Sequence, residues 1–344
     1  RVSTPWTRDD ARTFAALSAA ALIFVAAVLL ATTPQDAISS MQSGNVAFFN
    51  YVYGAIGVVA ALLVTGTSAV VTRKYPGPAG IALAHTVPFL TAASALRLSQ
   101  SQWDTGGWIA VGVGLLVGSL AALTLPKRYR ISIAAPLVLG TMMAATGLMV
   151  KVGSLSQVGV SALLFALVIV LLQLAPWIAL AHIPVRILDA NTSEQIPAQG
   201  ITDQVTTSFV FVVSLRAGGA LAAVFLTVSM LSTAGLRSFS VPLALVVLGS
   251  VSLILQTRSI RARVEVLLSS LTGLTTILVG ATLVTRADPA SLPWVTLSAI
   301  AAALVLVVTN VVGPRARPHL TRIADTIAVL SLFVLIPLAV YLWG

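Results

Sequence analysis

AHIPVRILDANTSEQIPAQGITDQVTTSFVFVVSLR, residues 181–216, is the only long polar interruption in an otherwise apolar chain. Six apolar runs precede it and five follow, and each is read as a helix that crosses the bilayer. Crossing the hydrocarbon takes about 20 apolar residues, because lipid offers no partner to an exposed backbone N–H or C=O. The stretch is therefore the joint between two sets of spans. Within it, Pro184, Pro197 and Gly200 break regular structure, and Ile201-Thr202-Asp203-Gln204-Val205 opens a short amphipathic helix with Val205, Phe209 and Val212 on one side.

Outward from this joint, the spacing predicts an all-α polytopic membrane protein with eleven spans. They are 14–32, 51–71, 79–96, 108–125, 131–150, 158–180, 217–234, 241–256, 264–284, 292–312 and 323–343. The domain plan is an inner lead (1–13), spans 1–6 (14–180), the central loop (181–216) and spans 7–11 (217–344). The seventh run is short, so its helix is expected to start earlier, within 207–213, with Arg216 snorkelling to the interface. Composition agrees, since 58% of the 344 residues are hydrophobic and 9% are charged, against about 25% charged in a soluble domain.

Charge sets the orientation. With the N-terminus inside, all but four of the 20 Lys and Arg fall in inner segments. The exceptions are Arg97, Lys151, Arg237 and Arg286, one in each of four outer loops. This alternation holds at every loop, and one span too many or too few would invert it. The N-terminus is thus expected in the cytoplasm and the C-terminus outside. Trp103, Trp108, Trp294 and Trp343 at outer ends and Trp6 and Trp177 near inner ends fit aromatic belts. The net charge of +10 then reflects topology, and nucleic-acid binding is disfavoured. The clusters containing Arg128 and Arg130, Arg258, Arg261 and Arg263, and Arg315 and Arg317, together with Arg186 in the central loop, are candidate contacts for anionic headgroups or for a partner's acidic face.

Chemistry is sparse. The ten acidic residues lie in loops or first turns of spans, so no mid-membrane carboxylate marks an ion-coupling site. The chain has no cysteine and three histidines. It lacks His-Glu-x-x-His, Gly-x-Ser-x-Gly and a phosphate-cradling Gly-rich loop, and it has no pair of buried aspartates. An enzyme, a resident metal and a cofactor are not expected. His85, Gln173, Thr141, Thr146, Thr275 and Thr276 read first as interhelical hydrogen-bond partners. The alternative for His85 is a proton path or a metal, and the alternative for uncharged groups such as Gln173 and Thr275 is a site in a secondary transporter or exporter of an apolar or lipid-like solute. Gly114 and Gly118 form a Gly-x-x-x-Gly pair, which suits close helix packing within the chain or between subunits.

The layout of eleven spans, the arginine-bearing lead, the single longer inner loop, the run Val87-Pro88-Phe89-Leu90-Thr91-Ala92-Ala93 and the Gly/Ala/Val/Leu-rich spans resemble the EccD family of mycobacterial type VII (ESX) secretion. The resemblance covers essentially the whole chain. It implies a scaffold of the bacterial inner membrane with no catalytic residues. It further implies a dimer of two copies enclosing a lipid-filled cavity, beside the motor ATPase EccC and the subunits EccB and EccE. Family members carry a ubiquitin-like domain ahead of the first span, so a segment preceding Arg1 is expected.

Overall fold

The structure, a computed structural model, describes residues 8–32, 46–74, 78–100, 103–182, 198–234, 240–256, 263–293, 295–297, 300 and 317–343. Every regular element among them is helical, as a bilayer requires of a chain that does not close into a barrel. In order, the helices are α1 (Arg8–Thr32), α2 (Val46–Lys74), α3 (Pro78–Leu98), α4 (Thr105–Gly118), α5 (Ala134–Lys151), α6 (Gln157–His182), α7 (Ala198–Thr233), α8 (Ser240–Gln256), α9 (Arg263–Ala287) and α10 (Arg317–Trp343). Among the described residues nine are long and apolar enough to cross a membrane, and α8 is a shorter apolar helix. At 17 residues, α8 is about 25 Å long, near the lower limit for a span. The chain is a multi-pass membrane protein. Ten of the expected spans coincide with these helices, and the one at 292–312 falls mostly outside the described residues.

Helix α7 differs most from expectation. It begins at Ala198 and runs unbroken to Thr233, 36 residues in all, so half of the segment read as a loop is helix. Gln199, Thr202, Asp203 and Gln204 ended the apolar run in the sequence, but they oppose helix only weakly. Once the span has nucleated a helix, extending it costs little.

The chain folds as two compact units: residues Arg1–Lys151 with His182–Ser214, and Val152–Ala181 with Leu215–Gly344. In the first, α1, α2 and α4 pack on α3, and α5 packs on α4. Small residues bring the helices together, since association in lipid depends on close van der Waals contact rather than on the hydrophobic effect. Ala27, Ala61, Val87, Leu90, Ala93 and Ala121 form one buried cluster. A Cβ placed on Gly114 would lie 2.6 Å from the Ala92 Cα, and one on Gly112 would lie 2.5 Å from the Ala144 nitrogen. Helix α4 is thus wedged backbone to backbone between α3 and α5. After Gly118 it tightens into a 3-10 stretch, Ser119–Thr124.

In the second unit, α8 packs on α9 and α10. A Cβ on Gly249 would meet the Phe165 ring of α6 at 2.7 Å, and one on Gly159 would meet the Leu342 carbonyl oxygen of α10 at 2.8 Å. Phe165, Ile169, Leu226, Met230 and Leu245 are fully buried, whereas Phe333 and Tyr341 are exposed, as are Leu22, Leu62 and Leu63 of the first unit. Exposed apolar side chains in such number suit acyl chains, not water.

Candidate functional site

Polar groups within the spans are tied to one another. His85 sits one turn before the internal Pro88 of α3. Its Nδ1 lies 2.7 Å from the Ile81 carbonyl oxygen and its Nε2 3.1 Å from that of Ser132. Ser214 donates to the same Ser132 carbonyl and accepts from the Ala135 N–H at 3.1 Å, meeting one of the orphan donors at the start of α5. Thr91 donates to the Gly114 carbonyl across the helix contact at 2.7 Å. In the second unit, Gln157 donates to the Ser229 carbonyl at 3.0 Å, and the Ser161 and Ser229 hydroxyls are 2.7 Å apart. Gln173 donates to the Ser252 hydroxyl, and its own carbonyl accepts from Gln256 at 3.2 Å. Thr141, Thr146, Thr275 and Thr276 each donate to a carbonyl of their own helix, the usual fate of a hydroxyl on a membrane helix. Among the described residues, no three His, Asp or Glu side chains are grouped to hold a metal.

Two buried arginines were missed in the sequence. Arg97, assigned to an outer loop, is 4% exposed at the end of α3. Its Nε donates to the Leu30 carbonyl at 2.6 Å, and its Nη1 lies 3.5 Å from Asn50 Oδ1. Leu30 is in the last turn of α1, where carbonyls have no helical partner and the dipole favours a cation. The Trp103 indole N–H reaches the adjacent Ala31 carbonyl at 3.3 Å. Arg97→Leu is therefore expected to loosen the end of α1, read as faster amide hydrogen exchange over residues 28–32. Arg97→Lys should restore it only in part, because one ammonium cannot replace a fork of donors.

Arg216 does not snorkel. It is 3% exposed inside α7, its Nη2 lies 3.5 Å from the Glu265 carboxylate of α9, and its Nη1 donates to the Ser269 hydroxyl. Snorkelling is superseded because α9 brings a carboxylate to the arginine, which removes the need to reach water. A signal for this existed, since a charge within a long apolar stretch asks for a partner, and Glu265 is the acid in the first turn of a later span.

The candidate basic contacts divide. Arg130 is exposed, and its guanidinium donates to the Leu125 and Leu123 carbonyls at 3.0 and 3.1 Å, which caps the 3-10 end of α4. Arg263 is exposed at the start of α9. Arg128 and Arg317 stand on described helices, but their side chains, like Arg186, Arg258, Arg261 and Arg315 entirely, lie outside the described residues. Gly114 and Gly118 both face α3. A Cβ on Gly118 would meet the Thr91 hydroxyl and, at 2.5 Å, the Pro88 Cα.

The fold is similar to that of known membrane assemblies. Protomer 1 of the ESX-3 core complex aligns with a TM-score of 0.71 at 19% identity, over 99% of this chain and 77% of that one. A chain of the MycP5-free ESX-5 inner membrane complex, State II, aligns with a TM-score of 0.63 at 16% identity, over 88% of this chain and 72% of that one. No curated protein sequence matches. The family model for the EccD-like transmembrane domain matches residues 10–344. Because that match covers nearly the whole chain, this chain belongs to the EccD family.

Proposed function

We propose that this chain is a structural membrane subunit of a type VII (ESX) protein secretion machine in the bacterial inner membrane. The observation that carries the reading is the family match over residues 10–344, and the likeness to protomers of two ESX complexes supports it. The N-terminus faces the cytoplasm and the C-terminus lies outside, as the distribution of Lys and Arg favours. The chain works as a scaffold without catalysis of its own, and energy comes from a separate motor ATPase of the EccC kind. Its other partners are EccB- and EccE-like subunits and a second copy of itself, with membrane lipid filling the cavity between copies.

On this reading the inner basic residues, Arg128, Arg130, Arg186, Arg258, Arg261, Arg263, Arg315 and Arg317, meet anionic headgroups and the acidic faces of partners. The solute-carrier alternative loses its motive. Gln173 is engaged with Ser252 and Gln256, and Thr275 bonds to its own helix.

The test is to tag the C-terminus, extract the protein from native membranes in mild detergent, and measure the mass and composition of what accompanies it. A large assembly with a motor ATPase and two copies of this chain is expected. A lone monomer or homodimer, stable without partners, overturns the proposal. In the same assay, Arg258, Arg261 and Arg263 changed together to Glu should lower recovery of partners roughly tenfold or more, the scale of a few lost charge pairs at an interface. Thr275→Val should leave it unchanged.

A further inference from the structure

Helix α7 is longer than a bilayer needs. Its apolar stretch, Val205–Thr233, has 29 residues, about 44 Å of helix against roughly 30 Å of hydrocarbon. Two extreme registers are open to it, with about 20 residues from 205 onward in the core, or about 20 ending at 233. Tilt can absorb part of the excess, and hydropathy alone does not choose between them.

Arg216 chooses. In the first register it would stand near mid-membrane, where an ionised side chain is costly, and in the second it stands at the edge. Its partner fixes which edge. Glu265 is in the first turn of α9, two residues after the exposed Arg263, so it cannot move deeper without drawing that charge into lipid as well. We propose that the buried Arg216–Glu265 pair, with Ser269 beside it, is a register lock. It holds α7 level with the first turn of α9, so that about 20 residues ending at 233 cross the core and the earlier part of α7, with Val205 and Phe209, stands clear of the hydrocarbon. The exposed flanks of Val205 and Phe209 are then available at the membrane face instead of being hidden among acyl chains. This inference does not depend on the secretion reading.

The chain has no cysteine, so single cysteines report depth without background. A cysteine is placed at Val205 or Phe209, with Leu221 as the mid-span control, in the full chain in native membranes. A charged, membrane-impermeant maleimide is applied to both faces of the vesicles. The cysteines at 205 and 209 should react and that at 221 should not. Arg216→Met with Glu265→Leu removes both charges and orphans neither. In that background labelling at 205 and 209 should fall at least about tenfold, because the reactive thiolate needs water that the core lacks. The reversed pair, Arg216→Glu with Glu265→Arg, should restore labelling. Protein level and monodispersity, measured alongside, separate a register shift from misfolding. Three results overturn the proposal: unreactive 205 and 209 in the otherwise native chain, unchanged labelling in the apolar pair, or no rescue by the reversed pair.

Discussion

Gly114→Leu is expected to unseat α4 from α3 and to cost at least the ~1–3 kcal/mol typical of overpacking. The reason is what the new side chain would meet. A Cβ at 114 lies 2.6 Å from the Ala92 Cα and 2.7 Å from the Thr91 carbonyl oxygen. These are backbone atoms, and backbone cannot rotate aside as a side chain can. Moving α4 outward would also break the Thr91–Gly114 hydrogen bond and press the opposite face, where Gly112 meets Ala144 and Gly140. The thermal midpoint in detergent and the monodisperse fraction read the effect. Two controls should go the other way. A Cβ on Gly280 would find nothing nearer than 3.4 Å, and one on Gly66 nothing within 4 Å. Alanine at either should be neutral or stabilising by up to about 1 kcal/mol through helix propensity. Equal stability of Gly114→Leu and the native chain would contradict the close approach of α3 and α4.

Glu265→Leu is expected to destabilise the chain by ~3–5 kcal/mol, since it leaves the Arg216 guanidinium buried without a counter-charge. Adding Arg216→Met should recover most of the loss. The native pair is itself imperfect: it is 3.5 Å apart, and Arg216 Nε has no acceptor among the described residues. Well-packed apolar residues commonly replace such a pair at little cost. The measurement is a double-mutant cycle of unfolding in mixed micelles. Additive effects of the two substitutions would mean that the pair is not energetically coupled.

The spans were legible because one physical demand, about 20 apolar residues without charge, writes itself directly into the chain. Helix facing was not legible. Spans that are apolar on every side carry no periodicity to say which side meets protein, so spacing puts Gly112 and Gly114 on opposite sides of α4 but does not say that one meets α5 and the other α3. The buried arginines were hidden for a related reason. Arg97 looks like a loop residue because its partners, Leu30 and Asn50, lie 67 and 47 residues away. Ser269, which accepts from Arg216, follows by 53. Local reading sees the charge, and only the fold supplies the acceptor. The start of α7 was misjudged because polarity marks where lipid ends, which is not where a helix must end.

The 3-10 stretch that completes α4 also bears on bilayer thickness. Tighter winding rises about 2.0 Å per residue instead of 1.5 Å. The six residues Ser119–Thr124 therefore reach about 3 Å further than the same residues would as α-helix. Twenty residues, Thr105–Thr124, thus cover about 33 Å, and the Arg130 guanidinium stabilises the stretched form by holding the carbonyls at its end. Rewinding these six residues as α-helix would shorten the span by the same ~3 Å, so a thinner bilayer is expected to favour α-helix there and a thicker one the 3-10 form.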